Sequence, residues 1–492
     1  MSDVSGSGHL GKDPIPTPGA GAGAPFALPD VGVRYGMATT TRRGAGGSSV
    51  LPGSAAARVR MVPLAFLGVI AVGTCLLVVP WMHASGEPDL MAAAFTAVSA
   101  VCVTGLATVD TTTFWTPLGQ VVILALIQVG GFGIMTFATL LSLLIRGRLE
   151  VSGQLRARAE THAFDKGRVT HLIGRIAVRV LIIESVIAAV LTLRFAIAYH
   201  EPLGTAVWHG VFHAVSAFNN AGFALFSGNL VPFVGDPWIV VPICVAIVAG
   251  GLGFPVYFEL AQHWRRPRRW SAHTHLTVVG TSMLLAGGLL SYLLFEWSNP
   301  KTMGGMSVWD KVLAAGTASV VARTAGFNTI DYGAITGATL VITLLLMFIG
   351  GGSGGTAGGV KVTTFFLLWK VIVSEARGET DVVVGRRRIS SATVRQALSV
   401  ALLGVGTVTI GTIGLVVMTG LPLDAVTFEA ISAFGTVGLS TGITAHLSVP
   451  AQLLVMTIMF VGRVGTVTVA SSLALHGRGR RYRYPEESPI VG

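Results

Sequence analysis

The chain has 492 residues, of which 52% are hydrophobic and only 12% are charged, and its mean hydropathy is +0.70. These values exclude an ordinary soluble protein and are typical of a membrane protein. The net charge of +11 does not indicate nucleic-acid binding, because lysine and arginine cluster just beyond apolar runs. Three cysteines without paired spacing, Cys75, Cys102 and Cys244, indicate neither a disulfide framework nor a thiolate metal site.

The two ends of the chain differ in character from the apolar middle. Residues 1–60 are rich in small residues and proline and have no apolar period, which predicts a disordered tail without a cleavable signal peptide. Positive charge at both ends and between the repeats described below predicts that these parts face the cytoplasm. We therefore expect a multi-pass protein in the lipid of the cell membrane, with residues 476–492 as a second cytoplasmic tail.

One pattern occurs four times along the chain: a long apolar run, a short apolar run, a turn that ends in glycine and a large apolar residue, and a second long run. The long runs can span ~30 Å of hydrocarbon at about 1.5 Å per residue, whereas the short ones must enter the membrane and return. The spanning runs are 61–83, 118–145, 172–199, 237–263, 274–297, 337–376, 393–420 and 451–475. The short runs end at Ala100 in the first copy and cover 204–217, 309–321 and 423–433 in the others.

This pattern predicts an all-α membrane protein with eight spanning helices around one central pore. Its four tandem units of helix, re-entrant pore loop and helix are residues 61–146, 147–264, 265–376 and 377–475. Repeats of nearly constant period define the architecture of a chain before any single motif does.

Each turn is predicted to form one quarter of a cation filter. Backbone carbonyl groups can replace the hydration shell of an ion when they all face the pore axis, and glycine allows the positive φ angles that this needs. The C-terminal end of each re-entrant helix would add partial negative charge. The predicted ion-binding residues are Val103, Thr104, Gly105, Asn220, Ala221, Gly222, Thr324, Ala325, Gly326, Thr436, Val437 and Gly438.

A second glycine-rich segment interrupts the long run at 337–376. Seven of the ten residues from 350 to 359 are glycine, and each glycine costs a helix about 1 kcal/mol relative to alanine. We interpret the segment as a gate below the filter, with close helix packing as the alternative. Lys361 does not directly follow a glycine, which argues against a nucleotide-binding P-loop. The gate candidates are Gly350, Gly351, Gly352, Ser353, Gly354, Gly355, Thr356, Ala357, Gly358 and Gly359.

Two arginines lie within apolar runs, where charge is costly and usually functional or paired. Arg463 could repel cations, hold the gate segment by hydrogen bonds or form a structural ion pair. Arg323 is expected to lie behind the filter and brace its re-entrant helix, with an acidic group as a candidate partner. The spacing of His209 and His213 could suit zinc, but without a third ligand a structural role is favoured.

The filter turns, the Gly-Gly-Ser-Gly-Gly-Thr-Ala-Gly-Gly-Val-Lys segment ending at Lys361 and the Gly-Arg pair at 462–463 together resemble the Trk/Ktr/HKT superfamily of potassium transporters. Among its members the chain is most similar to the Ktr membrane subunit. The resemblance implies that Gly105 favours potassium over sodium and that the glycine-rich segment, Lys361 and Arg463 form the intramembrane gate. It also implies a homodimer with one pore per protomer, resting on a cytosolic ring of Rossmann-type subunits that bind nucleotides.

The favoured function is therefore potassium uptake by a channel-like transporter that is not an enzyme and needs no organic cofactor. Sodium is considered as an activating or coupled ion. A sodium- or ammonium-conducting member of the same family is the nearest alternative. A secondary solute carrier is less favoured because such carriers commonly have two repeats. A membrane enzyme is less favoured because the apolar runs contain too few nucleophiles, metal ligands or carboxylates. Glu184 and Glu259 lie in apolar runs and are considered for proton or sodium coupling, although Glu259 is near a helix end.

Overall fold

A computed structural model describes the backbone of residues 53–154 and 166–465 and the side chains of residues 62–136 and 173–465. Within these residues the chain is almost entirely helical. The helices are α1 Gly53–Leu77, α2 Leu90–Val101, α3 Thr111–Phe114, α4 Pro117–Gln154, α5 Lys166–Ala198, α6 Leu203–Phe218, α7 Pro237–Leu252, α8 Phe254–His263, α9 Ala272–Glu296, α10 Val308–Val321, α11 Gly337–Phe348, α12 Val362–Ala376, α13 Ser391–Thr419, α14 Leu423–Gly435 and α15 Val449–Phe460. Strands β1 Val383–Val384 and β2 Arg387–Arg388 form an antiparallel hairpin that the sequence did not predict.

Several helices are long and apolar enough to cross a membrane. Among the described residues four qualify singly, in α4, α5, α9 and α13, and α7 with α8 would make a fifth. Further apolar helices of 10–17 residues are Val62–Leu77, Leu90–Val101, Gly337–Phe348 and Val449–Gly465. These lengths and compositions describe a multi-pass membrane protein, but they do not by themselves establish eight crossings.

The ends of the chain fit the predicted tails only in part. Residues 1–52 and 476–492 lie outside the described residues. The predicted tail reaches residue 60, yet α1 already begins at Gly53. The run Ala55 to Ala57 explains the earlier start, because alanine is the strongest helix former. α1 ends at Leu77, and a 3-10 turn over Pro80–Met82 follows it.

Three of the predicted spanning runs are interrupted. The run 237–263 is divided into α7 and α8, which meet at an angle of 98°; Gly253 between them has a φ of 87°, and a proline follows in the first turn of α8. The run 337–376 is divided into α11 and α12 by the glycine-rich segment. In the last run, α15 continues into a π-helical turn over Val461–Gly465.

The four short apolar runs form helices α2, α6, α10 and α14, as predicted. Asp89 caps α2 by accepting from the N–H groups of Met91 and Ala92, and Ser307 caps α10 by accepting from Asp310. Each of the four helices packs against the long helix before it in the chain, and each ends just before a predicted filter turn. The helices therefore bring four similar turns to their C-terminal ends.

Candidate ion-binding site

The four filter turns lie side by side around one point. A Cβ atom added to Gly222 would lie 2.7 Å from the Cα of Gly326, and one added to Gly326 would lie 3.1 Å from the Cα of Gly438. At Gly438 the added atom would lie 3.1 Å from the Cα of Gly105, and at Gly105 it would lie 3.1 Å from that of Gly222. The four glycines thus form a closed ring, which we call the glycine ring, and a side chain at any of them would collide with neighbouring backbone.

Carbonyl oxygens crowd this glycine ring. A Cβ atom at Gly326 would lie 2.6 Å from the carbonyl oxygen of Val437, and one at Gly222 would lie 2.8 Å from that of Ala325. The oxygens placed in this way are those of Thr104, Ala221, Ala325 and Val437. One carbonyl from each turn therefore lies beside the neighbouring glycine, an arrangement that can replace the hydration shell of a cation.

The backbone conformation alternates in the same way in every turn. The four glycines have φ angles between 70° and 93°. Two residues earlier, non-glycine residues also have positive φ: Val103, Asn220, Thr324 and Thr436, at 56°, 60°, 70° and 48°. Positive φ is unusual for such residues, most of all for β-branched ones. Each costs of the order of 1–3 kcal/mol and persists only where the surroundings hold it, commonly at functional sites.

Serine residues near the C-terminal ends of α2, α6 and α14 hold these turns. The Ser99 hydroxyl accepts a hydrogen bond of 3.0 Å from the N–H of Gly105, and Ser432 accepts one of 3.2 Å from the N–H of Gly438. In the second turn the Ser216 hydroxyl instead donates to the carbonyl oxygen of the residue after the glycine, at 2.8 Å. The helix ends therefore support the strained backbone directly.

An open cavity of about 350 Å³ lies on one side of the glycine ring. All four ring glycines line it, together with residues that follow them in the chain. Asp110 is the only carboxylate among its lining residues. Partial burial raises the pKa of Asp110, but hydrogen bonds with Ser227 and Thr112 outweigh this effect and keep the pKa below its ordinary value. The cavity therefore carries a negative charge at neutral pH.

The glycine-rich segment contacts the turns and their helices at residues that do not line this cavity. The Thr356 hydroxyl donates to the carbonyl oxygen of Phe218 at 3.3 Å and to the side-chain oxygen of Asn220 at 3.1 Å. A Cβ atom at Gly359 would lie 3.2 Å from the Cα of Gly435, and one at Gly350 would lie 3.5 Å from the Thr324 methyl group. The segment therefore contacts the second, third and fourth turns or the helix ends that lead into them.

Backbone hydrogen bonds give the glycine-rich segment a defined conformation. The N–H of Gly352 donates to the carbonyl oxygen of Gly251 at 2.8 Å, and that of Thr356 donates to Gly250 at 3.1 Å. A short parallel bridge joins Ile349 to Val360. Gly250 and Gly251 of α7 thus bind the segment through their carbonyl oxygens. The segment is a break between two helices, as predicted, and it is also closely packed, as the alternative proposed.

Cationic side chains hold this segment by donating hydrogen bonds to its backbone carbonyls. Arg463 donates to the carbonyl oxygen of Thr356, and Lys361 donates to that of Ala357. Arg323 donates to the carbonyl oxygen of Gly350 at 3.2 Å. Neither arginine forms a salt bridge in the part of the chain that the structure describes. The ion pairs considered for them are therefore replaced by bonds to backbone carbonyls.

The other candidates have local partners. Glu184 accepts from the side-chain amides of Gln128 at 3.3 Å and of Asn219 at 3.2 Å, directly behind the second turn. Glu259 accepts from the N–H and hydroxyl groups of Ser271 at the start of α9. Nδ1 of His209 lies 2.8 Å from a carboxylate oxygen of Glu201. The described residues contain no group of three or more potential metal ligands from His, Cys, Asp and Glu.

Comparison with known proteins shows the family of the chain. The family model of the cation transport protein TrkH matches residues 57–478. The chain belongs to the TrkH family. Within it, the chain is similar to the Ktr system potassium uptake protein B of Bacillus subtilis, with 37% identity over 88% of this chain and 96% of the relative. The protein of the same name from Vibrio alginolyticus is 35% identical over 88% of this chain and 94% of its own length.

Two further relatives broaden this comparison. The potassium/sodium uptake protein NtpJ of Enterococcus hirae is 33% identical over 88% of this chain and 97% of its own length. The crystal structure of the potassium transporter TrkH from Vibrio parahaemolyticus has the same fold, with a TM-score of 0.66 and 17% identity over 87% of this chain and 86% of that one. The membrane subunits of the Trk and Ktr systems are thus its relatives.

Two features of this TrkH-family chain were missed from the sequence. The positive φ angles of Val103 and Thr324 could not be predicted, because β-branched residues disfavour them. The filter serines could have been found, because three of the four turn motifs begin with serine, at Ser99, Ser216 and Ser432. Their position just ahead of a strained turn is the signal.

Proposed function

We propose that this chain takes up potassium across the cell membrane through a channel-like pore. The observation that carries the proposal is the glycine ring, with a carbonyl oxygen of each turn beside it and the same alternation of φ in all four turns. Dehydrated cations bind to rings of carbonyl oxygens of this kind. The names of the Ktr relatives support potassium as the ion.

The predicted filter residues would form the ion-binding site, from 103–105, 220–222, 324–326 and 436–438. The cavity that the four ring glycines line, which we call the outer cavity, would admit ions. The charge of Asp110 would raise the local cation concentration there. The absence of a side chain at each ring position leaves the axis free. We therefore assign transport, and no chemical transformation of a substrate, to this site.

The glycine-rich segment would act as the gate. It lies beneath the filter turns, and Arg463 and Lys361 hold it through backbone carbonyls at Thr356 and Ala357. Because the acceptors are backbone carbonyl oxygens, Arg463 and Lys361 could bond to other carbonyl oxygens of the segment when it moves. A buried guanidinium near the ion path would also disfavour cations while the gate is closed.

We further propose the assembly and topology that the family resemblance implies. The chain would cross the membrane eight times, with both termini in the cytoplasm, as the distribution of positive charge supports. It would form a homodimer with one pore per protomer and rest on a cytosolic nucleotide-binding ring. The Ktr relatives are named as parts of a system, which supports a separate partner subunit.

Sodium is the second candidate ion, as substrate or as activating or coupled ion. The name of the Enterococcus hirae relative, a potassium/sodium uptake protein, favours it. The decisive experiment is growth and ion uptake of potassium-uptake-deficient cells that express the full chain, at low external potassium, with and without added sodium. Potassium-dependent rescue supports the proposal, and uptake of sodium alone would replace it with the second candidate.

A further inference from the structure

Two buried side chains occupy the same position in the second and fourth re-entrant helices. His213 in α6 and Glu429 in α14 each lie nine residues before the ring glycine of their turn, and both have 0% exposure. Each accepts a hydrogen bond from the backbone N–H three residues beyond that glycine. The bond from Leu225 to Nε2 of His213 measures 3.3 Å, and the bond from Thr441 to Oε1 of Glu429 measures 3.2 Å.

The surroundings of His213 determine which ring nitrogen accepts. Its Nδ1 lies 2.7 Å from the carbonyl oxygen of His209. Because a carbonyl oxygen can only accept, Nδ1 carries the proton and Nε2 of the neutral ring is free to accept from Leu225. Phe226 stacks on the ring with centroids 4.9 Å apart. The imidazole is therefore held with its acceptor towards the outer end of the second turn.

Glu429 makes the corresponding contacts with the outer end of the fourth turn. Besides the N–H of Thr441, its carboxylate accepts from the hydroxyl of Ser440 and from that of Thr444 at 2.9 Å. Ser440 also lines the outer cavity. The buried carboxyl group thus accepts three hydrogen bonds from residues 440–444 and links this loop to α14.

The other two repeats lack this connection. The equivalent positions carry Thr96 in α2 and Thr317 in α10. The Thr96 hydroxyl has no hydrogen-bond partner in the described part of the chain, and the Thr317 hydroxyl donates to the carbonyl oxygen of Leu313 in its own helix. In the glycine ring the second and fourth turns are not neighbours. The two acceptors therefore lie at diagonally opposite turns.

We propose that His213 and Glu429 are positioning residues that fix the outer end of the pore at these two turns and so contribute to ion discrimination. The inference rests on the proposed filter. Without its acceptor, a buried N–H group is unpaired and the loop that carries it can shift. Ala224 and Ser440, which directly precede the bonded residues Leu225 and Thr441, line the outer cavity, so such a shift changes the shape of the ion path.

The test measures potassium and sodium uptake by cells that express the full chain, normalised to the amount of protein in the membrane. His213→Leu removes one accepted hydrogen bond and is expected to lower the potassium-to-sodium uptake ratio by about threefold to tenfold. Glu429→Leu removes three accepted bonds and is expected to lower the ratio at least as much. Glu429→Gln retains an acceptor oxygen and is expected to preserve most of the ratio. Thr96→Val, the matched control, is expected to leave the ratio unchanged.

A purely structural role would lower the amount of protein or the maximal rate and leave the ratio at its native value, and that result overturns the inference. If Glu429→Leu does not reach the membrane, Glu429→Asp decides in the same way, because it keeps the carboxyl group and withdraws the acceptor from Thr441. Gly105→Ser distinguishes failure of the positioning role from failure of the proposed filter. If it changes the ratio while the Leu variants do not, the positioning role is wrong and the filter stands; if it also has no effect, the filter itself is wrong.

Discussion

The Thr356 hydroxyl donates a hydrogen bond of 3.1 Å to the side-chain oxygen of Asn220, although the two residues are 136 positions apart. Thr356 belongs to the glycine-rich segment and Asn220 to the second filter turn. The Asn220 amide also donates to the Thr324 hydroxyl in the third turn, at 3.4 Å. One side chain therefore connects the proposed gate with two of the four turns, so movement of the segment changes the support of both.

Replacing Gly105 by serine is expected to weaken the preference for potassium over sodium. Gly105 has a φ of 91°, and its added Cβ would meet the carbonyl oxygen of Ala221. The strain, about 1–3 kcal/mol, must move at least one carbonyl, and we expect a fall of about fivefold or more in the relative uptake of potassium over sodium. Gly287→Ser is the control, because no atom lies within 4 Å of its added Cβ. An unchanged ratio in Gly105→Ser would contradict the filter assignment.

Deleting residues 354–358 is expected to raise potassium flux. The deletion removes Thr356 and with it the contacts to Phe218, Asn220 and Arg463. The milder variant Thr356→Val loses the hydroxyl but keeps the backbone carbonyl that Arg463 bonds, so we expect a smaller rise. Uptake is measured per molecule in the membrane. If flux falls in the deletion variant while the protein remains folded in the membrane, the segment is not a gate.

Arg463 offers a way to separate charge from hydrogen bonding in the gate. Arg463→Gln keeps a donor for the Thr356 carbonyl without the charge, whereas Arg463→Met keeps neither. We expect a several-fold rise in potassium flux for Arg463→Met and a smaller one for Arg463→Gln, because a buried carbonyl without its donor costs about 1–3 kcal/mol. Arg395→Met, at the exposed start of α13, is the control. Equal effects of the Met and Gln variants would mean that the charge alone matters.

Asp110→Asn is expected to raise the potassium concentration needed for half-maximal uptake by about two- to fivefold at low ionic strength. The pKa of Asp110 lies below its ordinary value, so the carboxylate is charged at neutral pH and the substitution removes that charge from the outer cavity. Salt screens charges over about 8 Å at ~0.15 M, and the difference should shrink as salt is added. Asp424→Asn, also exposed but outside the cavity lining, is the control. An effect that does not depend on salt would point to a change of loop structure at α3.

The sequence predicted the limits of the four short helices well because these limits are local. Apolar runs too short to span, capped by residues such as Asp89 and ended by glycine turns, gave α2, α6, α10 and α14 to within a few residues. The same reasoning did not find the 98° bend at Gly253. Glycines are common in membrane helices, so Gly250, Gly251 and Gly253 did not by themselves predict a bend. At Gly253 the glycine-rich segment packs against the chain.

The sequence alone identified a membrane protein and predicted four similar units, each with a glycine where a side chain would collide with neighbouring backbone. The repeat period, the length of the apolar runs and the small size of glycine indicate these features. All three can be read without knowing which distant residues are in contact. Only the tertiary structure decided that the four glycines form one closed ring, that Val103 and Thr324 adopt positive φ, and that His213 and Glu429 act at equivalent positions. The glycine ring arises from contacts between residues that lie far apart in the chain, and the positive φ angles persist because the surrounding helices maintain them. The bonds of His213 and Glu429 join residues twelve positions apart, and they depend on how each loop folds back onto its helix.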